Sequence, residues 1–244
     1  TIAGCDHGTH VATIAAGNSG SLKGVARDAS IISMQVFSRF DNPAYCGRVT
    51  PCVMSYTSDQ VQALERVYKL RKKFNIAAVN MSLGGGYYAS HCDSAMPALA
   101  EIIDRLTDAG IAVVIASGNG GMNGYISHPA CIKNAVAVGN ATKTDTVSPS
   151  SNHSSMIDLM APGDNIYPGV PSRGFSYKSG TSMAAPHVAG AFALLKEYKP
   201  GASVAELQTA LECTGKSISR AGVSKPRIDI HGAYRFLKKN RTDC

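Results

Sequence analysis

Short apolar runs alternate along this chain with segments whose apolar positions recur every three or four residues. Val61, Leu64, Val67 and Leu70 predict an amphipathic helix over residues 58–74, capped by Ser58 or Asp59. A second amphipathic segment spans 95–109 and stops at Gly110. Between and after these lie the largely apolar stretches Ile76–Met81, Ile111–Ala116 and Ala135–Gly139, which read as buried strands. A further strand is predicted at Ile31–Phe37 and a helix over residues 7–17. Helices follow from Ser182 to about Tyr198, then near 203–212 and 231–239. Buried strands alternating with helices imply an α/β fold, a mostly parallel sheet between two helical layers. No internal repeat, linker or low-complexity stretch divides the chain, so one domain over 1–244 is expected.

Composition changes this picture little. The 244 residues are 44% hydrophobic and 17% charged, as for a globular domain. The formal charge of +7 raises the question of nucleic acid, but its only dense basic stretch is Lys238-Lys239-Asn240-Arg241, without the interleaved aromatics of a binding stripe. Neither a nucleic-acid partner nor a membrane partner is expected, since the apolar runs fall far short of the roughly 20 residues that span a bilayer. Seven cysteines without a zinc-like spacing favour an oxidising, extracellular setting. Cys46 and Cys52 flank a short loop, and chain order suggests Cys92 with Cys131 and Cys213 with Cys244. Cys5 is left over and asks for a partner elsewhere.

The chemistry concentrates at three places. Ser182 lies in Gly180-Thr181-Ser182-Met183-Ala184-Ala185-Pro186-His187, before an apolar helical run. A serine there meets the free amides and positive dipole end of a helix, although an isolated serine before a helix is more often only a cap. Pro186 is expected in the first turn, where its missing N–H costs nothing. His7 opens the His7-Gly8-Thr9-His10 turn; the spacing of the two histidines, with no nearby glutamate, argues against zinc, and one histidine can be a base while the other packs. Asn119, in Gly118-Asn119-Gly120 after a buried strand, is placed to aim an amide into a crevice at the strand ends.

These motifs, with Asn80-Met81-Ser82-Leu83-Gly84-Gly85 and Ala116-Ser117-Gly118-Asn119, occur in the order seen in subtilisin-like proteases, and the chain resembles that family from residue 7 to about 236. The resemblance implies a three-layer α/β sandwich lacking its first strands here, and serine endopeptidase activity. It implies that Ser182 is the nucleophile, His7 the general base, and Asn119 an oxyanion donor beside the Ser182 amide. Ser82, Leu83, Gly84 and Gly85 would pair with extended polypeptide substrate; Ala116, Ser117 and Gly118 would wall a pocket floored near Ser127. No cofactor is required for such chemistry. Structural calcium fits the family at a site the sequence does not identify, and the loop over residues 15–25 looks shorter than in members that bind calcium there.

The family's triad also contains an aspartate upstream of the histidine motif, and none of the twelve aspartates here sits in that context. The expectation is that an upstream segment or chain supplies it, and with it a partner for Cys5. Two rival readings remain: a non-catalytic module that binds peptides along Ser82–Gly85, and an α/β-hydrolase esterase, whose Gly-x-Ser-x-Gly elbow and order of residues fit less well.

Overall fold

The computed structural model describes residues 2, 5–20, 22–167 and 177–244. The chain opens with α1 (His7–Ala16), the small hairpin β1 (Asn18–Ser19) and β2 (Leu22–Lys23), then β3 (Ser38–Phe40), the one-turn α2 (Pro43–Cys46), β4 (Cys52–Met54) and α3 (Thr57–Leu70). There follow β5 (Ala78–Met81), β6 (Gly85–Tyr88), α4 (Pro97–Asp108), β7 (Ala112–Ala116), β8 (Ile126–His128), β9 (Val136–Ala141) and β10 (Leu159–Pro162). The rest is α5 (Thr181–Tyr198), α6 (Val204–Thr214), the hairpin β11 (Lys216–Arg220) and β12 (Val223–Arg227), and α7 (Ile230–Lys238).

The central sheet has the order β11-β12-β10-β9-β7-β5; every pairing in it is parallel except the β11–β12 hairpin. Strand alternation sorts the core into two halves. Val113 and Ile115 of β7 face Leu64 and Val67 of α3 and Leu99, Ile102, Ile103 and Leu106 of α4. Ala112, Val114 and Ala116 face the other way, onto Ala184, Val188 and Phe192 of α5 and beyond them α6 and α7. The result is the expected three-layer α/β sandwich. Small side chains on both sides let α5 lie close to the sheet, and Gly190 has no room for a Cβ because Val25 fills the space.

Two expectations are corrected. Residues 30–37 form no strand, and Ile31, Ile32 and Phe37 are 52%, 44% and 37% exposed. The apolar alternation is real, but no strand among the described residues pairs with it; β5, an edge strand, pairs among the described residues only with β7. The helix predicted over 58–74 ends at Leu70, and its N-cap is Tyr56 with no side-chain cap from Ser58 or Asp59.

Three disulfides join Cys46 to Cys52, Cys92 to Cys131 and Cys213 to Cys244, while Cys5 is free and exposed. Among the described residues, no helix is long and apolar enough to cross a membrane.

Candidate active site

Parallel strands and the helices that follow them place their loops and helix N-termini at one end of the sheet. Ser182 stands there as the second residue of α5, half-buried. Gly180 precedes the helix at φ +147°, a backbone open to glycine, and a Cβ there would press 3.1 Å from Asn119 Oδ1. The Met183 and Ala184 amides donate to the Gly180 carbonyl at 3.0 and 3.3 Å, and the Thr181 amide donates to Asn119 Oδ1 at 2.8 Å. The Ser182 amide has no acceptor among the described residues, so it remains a free donor in the first turn.

Pro186 lies in the second turn of α5 rather than the first. There its absent N–H would orphan the Ser182 carbonyl. The Ser82 hydroxyl takes that place, donating to Ser182 O at 2.7 Å, while Asn80 Nδ2 donates to Ser82 Oγ at 2.9 Å. A proline that breaks one rung of the helix thus ties the head of α5 to the loop after β5. The Ser182 hydroxyl itself lies 3.5 Å from Ser82 O.

Asn119 follows β7, and its carboxamide has a defined orientation. Oδ1 accepts from the Thr181 amide and, at 3.0 Å, from the Thr181 hydroxyl, which in turn accepts from the Gly118 amide at 3.1 Å. With Oδ1 turned toward the helix, Nδ2 is the end left free to donate, and Asn119 is exposed. Thr181, fully buried, is therefore a site residue that the sequence reading passed over as a neighbour of the nucleophile.

His7 begins α1, which packs on α5 through Val11, Ile14 and Met183. Both candidate catalytic side chains thus sit in the opening turns of two helices held together by apolar contact. Burial holds the His7 imidazole below its ordinary pKa of 6.5, with the Lys178 and His10 charges acting the same way and Asp6 opposing them. Asp6 is engaged elsewhere, bonded to Lys178 Nζ at 3.0 Å. No carboxylate among the described residues hydrogen-bonds His7. His10 is the packed ring of the pair, completely buried with Nε2 3.2 Å from Ile166 O.

The remaining expected residues surround the crevice in different ways. Ser82 anchors α5, while Leu83 packs against the core beneath β7. Gly84 lies so close to His128 O that a Cβ would reach 2.7 Å, and Gly85 is already paired with His128 in the small β6–β8 sheet. Ala116 and Ser117 are buried, the Ser117 hydroxyl donating inward to Asn152 O at 3.3 Å. Gly118 has φ +103°, and a Cβ on it would collide with the Ser127 hydroxyl and the Asn152 amide, which places Ser127 directly beneath that turn. The Cys92–Cys131 bridge staples the loop after β8 to the segment before α4. No group of three or more His, Cys, Asp and Glu side chains converges on a metal position among the described residues.

The subtilase family model matches residues 3–226. The chain belongs to the subtilase family. It is 32% identical over 238 residues to thermitase from Thermoactinomyces vulgaris, covering 96% of this chain and 76% of that protein. It is 35% identical over 199 residues to the major intracellular serine protease of Bacillus subtilis (strain 168), covering 79% of this chain and 56% of that one. Its fold matches the crystal structure of a cold adapted subtilisin-like serine proteinase with a TM-score of 0.71 and 28% identity, over 91% of this chain and 74% of the other. This subtilase chain therefore spans roughly half to three quarters of the curated relatives, 56% and 76% for the two named.

Proposed function

We propose that this subtilase chain carries the nucleophile, base and oxyanion donors of a serine endopeptidase acting on polypeptides. The observation that supports the reading is the head of α5, where, among the described residues, the Ser182 amide has no acceptor and Asn119 is tied through Oδ1 to Thr181, the residue before Ser182, with its Nδ2 left unbonded. Two free donors at the helix end that carries a hydroxyl suit a tetrahedral oxyanion. In this mechanism Ser182 Oγ attacks the peptide carbonyl and His7 takes its proton. The carbonyl oxygen, now negative, accepts from Asn119 Nδ2 and the Ser182 amide. His7 then protonates the departing amine, and a water deprotonated by His7 releases the acid from the acyl-enzyme. The depressed pKa keeps His7 neutral, and so able to accept that proton, to a lower pH than an exposed histidine.

The carboxylate that would orient His7 is supplied, in this reading, by an upstream segment or chain. Asp6 being paired with Lys178 supports this, as does the unpaired outer edge of β5. The three disulfides favour an extracellular setting. No cofactor takes part in the steps above.

The lack of a carboxylate bonded to His7 among the described residues also favours a second reading, a peptide-binding subtilase that does no chemistry. A fluorophosphonate separates the two. The protease reading expects a covalent adduct on Ser182, located by peptide mass mapping and abolished by Ser182→Ala, with the rate collapsing in His7→Ala. A wild-type chain that stays unmodified, with or without its upstream segment, would leave only the binding module.

A further inference from the structure

Asn152 is completely buried between β9 and β10, in a stretch, Ser150-Ser151-Asn152-His153-Ser154, whose composition reads as an ordinary loop. Every polar atom it owns is spent on the crevice loop. Its Oδ1 accepts from the Gly120 amide at 3.0 Å and the Met122 amide at 3.2 Å. Its Nδ2 donates to Ser117 O at 3.1 Å and Ser127 Oγ at 3.4 Å. Its backbone amide donates to Gly118 O at 2.8 Å, and its carbonyl accepts from the Ser117 hydroxyl. The one residue of the loop over 117–120 that Asn152 does not touch by hydrogen bond is Asn119, which is bracketed on both sides by residues it does.

The same structure is braced from outside by Arg220 in β11. Its guanidinium donates to Ser148 O at 2.8 Å, to Asn123 Oδ1 at 2.9 Å, to Met122 O at 3.4 Å, and to Ser151 O. The guanidinium thus ties the segment that carries Asn152 to the end of the loop that carries Asn119, Nη2 donating to Met122 O and Ser151 O at once. A glycine-rich turn with positive φ at Gly118 and Gly121 has little stiffness of its own. Its rigidity is imported through this buried carboxamide.

We infer that Asn152 is a positioning residue for the reaction: it fixes the backbone of the loop so that Asn119 Nδ2 points at the place the Ser182 amide also faces. Asn152 has no hydrogen bond to Ser182 or to Asn119 among the described residues. A donor displaced by even an ångström loses most of its effect on a developing charge, at a cost that reaches about 10²-fold. The inference rests on the reading of Asn119 as oxyanion donor given above.

The test is a double-mutant cycle on the full chain, read as the rate of Ser182 modification by a fluorophosphonate, whose phosphoryl oxygen occupies the oxyanion position. Asn152→Ala is expected to slow modification about 10- to 100-fold when Asn119 is present and to have little further effect in an Asn119→Ala background. An equal loss in both backgrounds would show a general structural role and overturn the inference, as would an unchanged rate. Arg220→Gln, which leaves the buried site intact, carries the same cycle if Asn152→Ala does not fold, with a smaller loss of the same Asn119 dependence. Hydrogen exchange supplies a readout that does not depend on the chemistry. The Gly120 and Met122 amides are expected to be protected in the wild type and released in the variant. If the wild type is not modified at Ser182 even with its upstream segment, the protease reading fails, yet unchanged exchange at those two amides would separately refute the clamp.

Discussion

Asn119 is fastened at one end and open at the other, and that asymmetry makes it a donor rather than a turn residue. Replacing it with alanine should lower the rate of Ser182 modification or peptide hydrolysis by about 10² to 10³, a magnitude for one oxyanion donor that was itself established in subtilisin, a relative. An effect of twofold or less would return Asn119 to a turn role. Lys178 offers a second check at this scale. Its charge disfavours the imidazolium of His7 and also occupies Asp6. In Lys178→Met both influences reverse, the His7 pKa rises, and the acid limb of the pH–rate profile should move to higher pH; a limb that stays put or moves down would mean that another group controls it. His7, Ser182 and Asn119 were legible in the sequence because each sits within two residues of a glycine at an element boundary. Thr181 and Asn152 were not, since a hydroxyl or carboxamide acquires its role only from partners 62 and 30 residues away, in Asn119 and Met122.

At the scale of elements, the buried strands β7 and β9 and the helices α4 and α5 were legible because their apolar patterns agree with what they bury on both faces of the sheet. The β11–β12 hairpin was not: Lys216–Arg220 and Val223–Arg227 are largely polar, and only Ile218 among them is buried in the core. Beside that hairpin, at the start of β10, lies Asp158. It accepts from the Ala137 amide at 2.7 Å, yet burial raises its pKa from 3.8 to about 7, with the Glu212 charge adding to the rise. A carboxyl whose folded pKa exceeds its unfolded value binds protons more tightly when folded. Its contribution to stability is therefore complete below about pH 4 and is lost as pH rises to about 7. Above that the ionised form costs on the order of a few kcal/mol. Asp158→Asn keeps an acceptor for Ala137 and removes the charge. It should raise the melting temperature at pH 8 and flatten the dependence between pH 4 and 7. A variant less stable than wild type at pH 8 would indicate that ionised Asp158 is stabilised by partners such as Lys225 more than burial opposes it.

At the scale of the whole molecule, the sheet ends at one side in β11 of the β11–β12 hairpin and at the other in β5, each with one strand neighbour among the described residues. Parallel sheets bury both faces, and an uncovered edge next to apolar side chains is a site for another strand. The segment over 30–37 fits this view, because Met34 touches the same core as Val79 of β5 while Ile31 and Ile32 project into solvent. The strand read from the sequence there is the one element whose pattern demanded a neighbour that the described residues do not contain. A strand from the proposed upstream segment, set between β5 and residues 30–37, would satisfy both at once and bring a carboxylate to the end of the sheet where His7 stands. In this chain alone, the outward-facing amides of Ala78–Met81 should then exchange with solvent quickly, and in a longer chain carrying the preceding residues they should become protected. Ile32→Lys distinguishes a specific neighbour from general stickiness. An exposed isoleucine can be replaced at a cost within about 0.5 kcal/mol, so the variant alone should melt where the wild type does, while in the longer chain it should weaken the protection of β5 and slow the modification of Ser182. Slow exchange along β5 in the short chain, or full protection in the longer one despite Ile32→Lys, would show that the edge is not where the missing carboxylate enters.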